Sequence, residues 1–424
     1  MHWISCIIAA IVALNANASS DRQTPLLLIP GPVEFSSDVL AAAGGAPRSH
    51  MDKVFASQFG DALRGLRKIA LTTTAQPFII SGSGTLGWDI MASNLLEAGE
   101  TVLMVNTGYF GDRYQESIET YGGLVTSVKA PAPGQAPSLA SITDALKIAP
   151  KPFKAITITQ VDTSTGVLMD VKAIAALVKS LSPSTLIVVD GVCSFGGESL
   201  MFDEWGIDFV LTASQKALGT PPGLSVLIVS PRAIEAIQNR KTPIPNYYGS
   251  LLRWLPVMIA YEAGAPKYFA TPAVQLVQAL KVSIDQILAQ GSMISRFDNH
   301  VATSQRVKDS IETWGLKLVT SSRETEANTM TAILLPNGIT APEFLPKVLD
   351  RGVMLAGGLI PSISYFRIGH MHLTASTPEH IDKVLSAVSE ALAELGYKTK
   401  EESVKFLASN KEWKPRRAAA KEEL

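Results

Sequence analysis

Cysteine is scarce in this sequence. Its 424 residues include Cys6, Cys193 and no other cysteine, and cleavage of an N-terminal signal segment would leave Cys193 alone. A small secreted scaffold stapled by disulfides is therefore excluded, because such scaffolds depend on several paired cysteines. We interpret Cys193 as a small packing residue rather than a nucleophile.

An excess of charge of either sign is also lacking. The sequence has 37 Lys and Arg residues against 38 Asp and Glu residues, which gives a formal net charge of -1. No basic tract indicates a nucleic-acid partner, no acidic tract indicates disorder, and no metal site is predicted. With 46% hydrophobic residues the chain can bury a large core, which favours an enzyme that acts on small molecules.

A hydrophobic run long enough to span a bilayer is missing from the N terminus. The apolar stretch from Ile4 to Leu14 is too short, and the small residues Ala16 and Ala18 that follow it are typical of a signal-peptidase site. Residues 1–20 therefore predict a signal-like segment, and no membrane span is expected in the mature chain. A buried N-terminal arm or a mis-assigned start codon is the alternative, because this segment has no Lys or Arg.

The last four residues, KEEL, differ by one acid from the KDEL-type retention signal. Together with the signal-like segment they predict the lumen of the endoplasmic reticulum. A charged helix end could give the same four letters by chance.

Short apolar runs alternate with helical patterns over about two hundred residues. The runs lack polar alternation, which is typical of parallel strands covered on both faces. The pattern predicts an α/β fold with a mainly parallel sheet and with ligands at the carboxyl ends of its strands. The predicted strands are 77–81, 101–106, 155–160, 185–190 and 208–214, and the predicted helices include 112–121, 138–148 and 170–181.

The pattern changes after residue 272, where a long helical stretch is predicted over 273–313. A shorter mixture of helices and strands follows it. We expect a large domain over 21–290, a small C-terminal α+β domain over 291–397, and a charged tail over 398–424 that forms a peripheral helix.

The stretch QPFIISGSGTLGWDI, residues 76–90, has three glycines in G-x-G-x-x-G spacing between a predicted strand and a predicted helix. A Rossmann dinucleotide site would need an acid at the end of the next strand, and that strand ends in Asn106. No Gly-Lys-Ser/Thr sequence follows Gly87, so a Walker loop is excluded. What remains is a phosphate cradle made by Ser83, Thr85 and the backbone N–H groups of a helix N terminus, or a plain turn without a ligand.

Two later strand ends carry an acid and a lysine. The predicted strand 185–190 ends in Asp190, and Lys216 follows the predicted strand 208–214. Each has an ordinary interpretation, Asp190 as a cap residue and Lys216 as a surface lysine. Together with a phosphate cradle they predict a site for pyridoxal 5'-phosphate, whose aldehyde forms a Schiff base with a lysine and whose ring nitrogen stays protonated beside a carboxylate.

These segments resemble the class V, fold type I aminotransferases that depend on pyridoxal phosphate, within the alanine:glyoxylate and serine:pyruvate group. The resemblance covers nearly all of residues 25–397. It implies a large domain with a mainly parallel, seven-stranded-type sheet sandwiched by helices, and a smaller C-terminal α+β domain. The matching segments, in order, are LLLIPGPVEF, SGSGTLGWD, NTGYFGDR, DTSTGVLMD, VVDGVCSFGG, TASQKALGTPPG, YFATP and FRIGH.

The resemblance implies a role for each residue around the cofactor ring. Lys216 would form the Schiff base and then move the proton at the substrate Cα, while Asp190 would hold the ring nitrogen. Phe110 would stack on the ring where many relatives have Trp, a smaller contact. Val192 would pack on the opposite face, and Thr163 would hydrogen-bond the ring hydroxyl.

The resemblance also implies a shared phosphate site and a substrate handle. A phosphate site completed by the partner subunit implies a homodimer. Arg367 would bind the substrate carboxylate with its planar guanidinium, and the Pro30-Gly31-Pro32 segment would roof the pocket, with Gly31 against the substrate. The expected phosphate ligands are Ser83, Gly84, Thr85 and Gln215, joined by Tyr268 of the partner subunit and Thr271 of the partner subunit.

The implied reaction moves the amino group of L-alanine, or of L-serine as second donor, to glyoxylate. An acidic donor would need a second cation, and the recognised segments supply only Arg367. Arg48 and His50 could supply that charge if their segment approached the site.

Other functions and locations are alternatives to this interpretation. A different amino donor on the same fold is the main alternative, and a dehydrogenase that binds NAD at the glycine loop is a weaker one. A cysteine desulfurase needs a catalytic cysteine in its C-terminal half, and none follows Cys193. An inactive scaffold is disfavoured by the intact pair of Asp190 and Lys216. For location, the resemblance offers the peroxisome, the mitochondrion or the cytosol as alternatives to the reticulum.

Overall fold

The strands of the protein fall into one large sheet and three small ones. We describe a computed structural model over residues 24–398. In chain order the strands are β1 (Leu26–Leu27), β2 (Gln76–Ser81), β3 (Thr101–Asn106), β4 (Leu124–Lys129), β5 (Ala155–Thr159), β6 (Val161–Asp162), β7 (Val167–Leu168), β8 (Leu186–Asp190), β9 (Phe209–Ala213), β10 (Leu224–Val229), β11 (Met330–Leu334), β12 (Val353–Met354), β13 (Ala356–Gly357) and β14 (Tyr365–Gly369).

Helices cover the sheets, and several of them begin at a capping side chain. Ser36, Asp52, Ser138, Asp170 and Ser230 each accept a hydrogen bond from a backbone N–H of the first turn. The helices are α1 (Ser37–Ala43), α2 (Lys53–Ala70), α3 (Gly84–Leu95), α4 (Tyr109–Thr120), α5 (Leu139–Ile148), α6 (Val171–Leu181), α7 (Phe202–Trp205), α8 (Pro231–Gln238), α9 (Leu251–Glu262), α10 (Val274–Ala289), α11 (Met293–Thr313), α12 (Ala341–Asp350) and α13 (Pro378–Glu394).

The large sheet has seven strands in the order β2-β10-β9-β8-β5-β3-β4. The neighbouring pairs from β9 to β4 are all parallel, and β10 runs antiparallel to both β2 and β9. The predicted α/β fold with a mainly parallel sheet is confirmed. Because β8, β9 and β5 are adjacent and parallel, their carboxyl ends meet at one edge, where ligands of such sheets bind.

The predicted long helix over 273–313 is two helices in the structure. The helix α10 ends at Ala289, and α11 begins at Met293. Gly291 between them has a φ of 114°, a conformation that favours glycine, and Ser292 then caps α11 by accepting a hydrogen bond from the N–H of Ser295. The break therefore comes from turn and capping residues inside a continuous apolar pattern.

Two large apolar cores lie on the two sides of this break. The first surrounds the seven-stranded sheet and includes Phe297 from the start of α11. The second lies around α11, α12, α13 and the sheet β11-β14-β13, and it includes Ile311. The helix α11 thus contributes to both cores, and the predicted domain boundary at residue 290 stays a prediction.

The N-terminal strand belongs with the second core. Leu26 and Leu28 are buried there, and β1 pairs in parallel with β12, with Leu26 opposite Val353. The chain therefore crosses from the second core to the first immediately after β1, which places the segment from Pro30 to Pro32 between the two.

The predicted signal-like segment and the charged tail beyond Lys398 lie outside the described residues. None of the helices between residues 24 and 398 combines the length and hydrophobicity needed to cross a bilayer. In the same range, His, Cys, Asp and Glu side chains do not gather in threes as metal ligands would.

Candidate active site

Asp190 and Lys216 lie at the carboxyl ends of two adjacent strands. Asp190 is the last residue of β8, and β9 ends at Ala213, three residues before Lys216. The two strands are parallel, and Asp190 pairs with Leu211 in their register. The structure therefore brings together the acid and the lysine that the sequence predicted as a pair.

Asp190 is a buried carboxylate with two defined hydrogen bonds. It is 3% exposed, its Oδ1 accepts from the backbone N–H of Val192 at 2.9 Å, and its Oδ2 accepts from the indole Nε1 of Trp88 at 2.9 Å. The pKa of Asp190 is raised to about 6, because burial and the charge of Asp162, which raise it, outweigh these two hydrogen bonds and the charge of Lys216, which lower it. Such a carboxylate is ready to face a cation, because a nearby positive charge would restore full ionisation.

Lys216 lies against the turn that follows β1. Its ammonium donates a hydrogen bond to the carbonyl oxygen of Pro30, and a Cβ on Gly31 would stand 2.4 Å from the lysine Cδ. Gly31 also has a φ of 93°, so both the backbone conformation and the contact require glycine. Burial lowers the pKa of Lys216, and the charge of Arg367 lowers it further, against the opposing charge of Asp190. The neutral amine is therefore more populated than in a solvated lysine.

Arg367 reaches the site from the second core. It lies on β14, is 8% exposed, and donates from Nε to the carbonyl of Gly357 at 2.8 Å and from Nη1 to the carbonyl of Thr163 at 3.1 Å. Burial lowers its pKa from the usual arginine value, which leaves it cationic at neutral pH. Two neutral carbonyls fix this guanidinium without neutralising it, so its positive charge is available to a carboxylate.

The start of α3 has the features of an anion site. Ser83 is the N-cap residue, and its side chain makes no capping hydrogen bond, while Ser83 and Thr85 are both exposed. A Cβ on Gly84 would lie 3.1 Å from the Cβ of Ala213, so glycine lets this helix end approach the end of β9. The exposed N terminus of α3 therefore offers unused donors beside the strand that leads to Lys216.

Gln215 adds a buried polar atom to this end of the site. Among residues 24–398, no group hydrogen-bonds its side-chain Oε1. Its backbone carbonyl accepts from the N–H of Val33 at 3.2 Å, which ties it to the segment after Pro32. A buried oxygen without a partner is costly, and a ligand with a donor at this position would satisfy it.

The remaining residues predicted around the ring contact Asp190 or its neighbours. Phe110 is half-buried at the start of α4, with its ring centroid 6.5 Å from that of Trp88, and Val192 is half-buried beside Gly84. Thr163 is 7% exposed and contacts Arg367 through its carbonyl. The position of each residue is compatible with its predicted role, and those roles stay predictions.

Tyr268 and Thr271 lie on the mostly exposed segment between α9 and α10, which also bonds the end of β2 through the N–H of Ala273 and the hydroxyl of Ser81 at 3.1 Å. Tyr268 is 62% exposed, and its ring centroid is 5.2 Å from that of His50. Arg48 nearby in sequence forms an exposed ion pair with Asp52 at 3.0 Å. Within residues 24–398 no hydrogen bond, ion pair or ring contact joins these residues to Lys216, and a role toward a partner subunit stays a prediction.

Sequence reasoning missed two site residues, Trp88 and Asp162. Asp162 is fully buried, and its carboxylate accepts hydrogen bonds from the N–H groups of Phe110 at 3.2 Å and Ser164 at 2.9 Å. Trp88 donates to Asp190 across 102 positions of sequence. Both lie in segments that resemble the family, but nothing in the local sequence pattern indicates hydrogen-bond partners so far along the chain.

Comparisons with known proteins agree with this geometry. A family model described as aminotransferase class-V matches residues 33–375. The chain belongs to the class-V aminotransferases. The predicted resemblance is thus confirmed, and the dinucleotide alternative for the glycine loop is wrong.

Individual relatives carry more specific names. Alanine-glyoxylate aminotransferase 1 of Saccharomyces cerevisiae is 42% identical over 84% of this chain and 94% of its own length. L-aspartate-glyoxylate aminotransferase of Paracoccus denitrificans is 30% identical over 82% of this chain and 86% of its own. Among solved structures, alanine-glyoxylate aminotransferase from Nostoc sp. superposes with a TM-score of 0.80 and 27% identity, covering 88% of this chain and 97% of that one.

The cofactor of class-V aminotransferases is pyridoxal phosphate, and the residues of this site fit it. The uncapped start of α3 offers backbone N–H donors that suit a phosphate. The buried carboxylate of Asp190 suits a pyridinium nitrogen, and Lys216 supplies the amine that holds the aldehyde.

Proposed function

We propose that the protein transfers the amino group of L-alanine, or of L-serine as second donor, to glyoxylate. The products are glycine and pyruvate, or glycine and hydroxypyruvate. The observation that carries this proposal is the buried guanidinium of Arg367, the positive charge that acts on Lys216 within the described chain, which matches substrates that bear one carboxylate. The names of the relatives from Saccharomyces cerevisiae and Nostoc sp. support it.

Each step needs a defined contribution from the chain. Pyridoxal phosphate, when bound, takes the amino group from one amino acid and passes it to a 2-oxo acid. Arg367 binds the substrate carboxylate with the donors that its two carbonyl partners leave free, which orients the substrate Cα. Lys216 accepts and returns the proton at Cα, because its lowered pKa increases the share of neutral amine.

An acidic donor would place a second carboxylate in this site. In the described chain, the positive charge that acts on Lys216 comes from Arg367. Arg48 is already paired with Asp52, and His50 lies with the exposed Tyr268. Burying an unpaired carboxylate costs several kcal/mol, so we expect aspartate and glutamate to be poor donors.

The test is kcat/KM for alanine, serine, aspartate and glutamate with glyoxylate as the common acceptor. We expect alanine to be preferred, with serine second. A clear preference for aspartate, the donor named for the Paracoccus relative, would overturn the proposal. The matched variant His50→Ala then locates the second cation, since it would lower the rate with aspartate and leave the rate with alanine unchanged.

We also propose that the protein works as a homodimer and that it enters the secretory pathway. The exposed segment around Tyr268 supports the first proposal, and the N-terminal apolar stretch with the KEEL sequence supports the second. A reporter fused to residues 1–25 tests the location. A reporter that stays uncleaved in the cytosol would contradict entry into the reticulum and favour the family alternatives.

A further inference from the structure

Trp88 makes a contact in this site that no expectation accounts for. Its indole Nε1 donates a 2.9 Å hydrogen bond to Oδ2 of Asp190, and both side chains are buried, at 6% and 3% exposed. A hydrogen bond to a charged acceptor is stronger than one between neutral groups, and the low dielectric of a buried site strengthens it further. This contact therefore matters to the carboxylate that it holds.

Close packing of α3 on the sheet brings the indole to Asp190. A Cβ on Gly87 would lie 3.0 Å from the Cβ of Leu211, and a Cβ on Gly84 would lie 3.1 Å from that of Ala213. Glycine at both positions lets one face of α3 lie directly on β9. Trp88 follows Gly87 and thus reaches the end of β8, next to β9 in the sheet.

Aromatic neighbours fix the plane of the indole. The ring of Tyr114 stacks on Trp88 with centroids 5.4 Å apart and planes at 16°, and Phe110 approaches at 6.5 Å. Both belong to α4, whose first turn is bound by the carboxylate of Asp162. The indole N–H therefore points at Asp190 from a ring that cannot easily rotate.

We propose that Trp88 is a positioning residue that fixes the carboxylate of Asp190 and keeps it ionised for the cofactor ring. With Oδ1 held by Val192 and Oδ2 held by Trp88, the carboxylate plane is set from both sides. The same helix presents Ser83 and Thr85 at its N terminus, so α3 connects the predicted phosphate end of the site to the ring-nitrogen end. This role rests on the cofactor of the family and is independent of which amino donor is used.

Five features act on the ionisation of Asp190. Burial raises its pKa, and the charge of Asp162 acts in the same direction, while the N–H of Val192, the indole of Trp88 and the charge of Lys216 lower it. Tyr114 is a further titratable neighbour, and burial together with the charge of Asp190 holds its pKa well above the usual range. Tyr114 therefore stays neutral, and removal of the indole N–H leaves Lys216 and Val192 as the groups that favour the anion.

The test begins with the apoprotein and the variant Trp88→Phe, which keeps a stacked ring and removes the N–H. In the wild type, the fluorescence of Trp88 should titrate with a midpoint near the pKa of about 6 expected for Asp190. Asp190→Asn should abolish this titration. The difference between the wild-type and Trp88→Phe curves isolates the indole, because the other tryptophans are common to both proteins.

The holoenzyme gives a second measurement. Trp88→Phe should raise the dissociation constant of pyridoxal phosphate about tenfold, and it should move the pH dependence of the bound cofactor's absorbance by about one pH unit. The matched control is Trp205→Phe, since the indole N–H of Trp205 has no hydrogen-bond partner among the described residues. That control should change neither quantity.

Two outcomes would overturn the proposal. One is a Trp88→Phe variant whose cofactor dissociation constant and absorbance titration equal those of Trp205→Phe. The other needs no folded variant: if no indole N–H resonance of the 15N-labelled wild-type apoprotein titrates between pH 5 and 7, Trp88 does not sense Asp190. Either result can occur while alanine remains the preferred donor, so it is distinct from a failure of the proposed reaction.

Discussion

At the scale of single residues, burial sets the chemistry of this site. It raises the pKa of Asp190 and lowers the pKa of Lys216, so each group is shifted toward its neutral form when it is alone. The raised pKa of Asp190 suits a carboxylate that faces a bound cation. The lowered pKa of Lys216 suits an amine that accepts a proton. The strand ends bring the two together at a distance where their charges interact.

Arg367 gives the first prediction at this scale. Arg367→Ala should lower kcat/KM for every amino donor by a factor that corresponds to about 2 to 4 kcal/mol of lost transition-state stabilisation. The reason is that each donor loses the ion pair with its carboxylate. Arg367→Lys keeps the charge and loses the planar fork that bonds Gly357 and Thr163, so its activity should fall between those of the alanine variant and the wild type. Steady-state kinetics with alanine and serine check both values.

A loss confined to one donor would contradict this role. So would an Arg367→Lys variant with wild-type kinetics, because the rigid guanidinium would then be unnecessary. Thermal unfolding of each variant serves as the control, since Arg367 is buried and also links two segments of the chain.

At the scale of elements, the sequence predicted most strands of the large sheet but not the contacts between elements. All five predicted strands exist, and their ends carry the predicted Asp190 and Lys216. The strands β4 and β10 were missed, and the antiparallel direction of β10 depends on its neighbours β2 and β9 rather than on its own residues. The bond from Trp88 to Asp190 was missed for a similar reason, since it depends on how α3 seats on the sheet.

Three buried histidines connect α11 to the segment after β14, and they give a prediction at this scale. Burial lowers the pKa of His300, His370 and His372 to about 3, from an ordinary value of 6.5. Between these values the unfolded chain binds protons that the folded chain does not. The three histidines therefore make the free energy of unfolding decrease as the pH falls below about 6.5, while the raised pKa of Asp190 acts in the opposite direction.

A single substitution separates these contributions. In His370→Gln the slope of unfolding free energy against pH should be smaller by about 1.4 kcal/mol per pH unit between pH 4 and 6, the value for one proton. Gln can still hydrogen-bond Thr331, the partner of His370 at 2.8 Å. Urea denaturation at several pH values measures the slope, and curves parallel to those of the wild type would show that His370 is protonated in the folded state.

At the scale of the whole molecule, the active site lies between two cores. A third apolar cluster, which includes Val33, Cys193, Ala217 and Tyr365, joins residues from both sides around Lys216. Cys193 is 1% exposed and burial raises the pKa of its thiol, which suits a packing residue. The site therefore depends on the relative position of the two cores, and the proposed homodimer would extend that dependence to a second copy of the chain.

Mixed dimers test whether that second copy completes the site. Lys216→Ala should lose turnover, and Tyr268→Ala should lose cofactor affinity. If Tyr268 of one chain serves Lys216 of the other, each mixed dimer contains one intact site. Random assembly of the two coexpressed variants should then restore about a quarter of the wild-type activity, since half of the dimers are mixed and each has one intact site of two.

The matched control pairs Lys216→Ala with Arg367→Ala: both residues belong to the same chain's site, so no mixed dimer has an intact site and activity should not return. The assay uses a cofactor concentration that fills the wild type and leaves the Tyr268→Ala homodimer inactive, and failure of the first pair to recover activity there would show that Tyr268 does not act across a subunit interface.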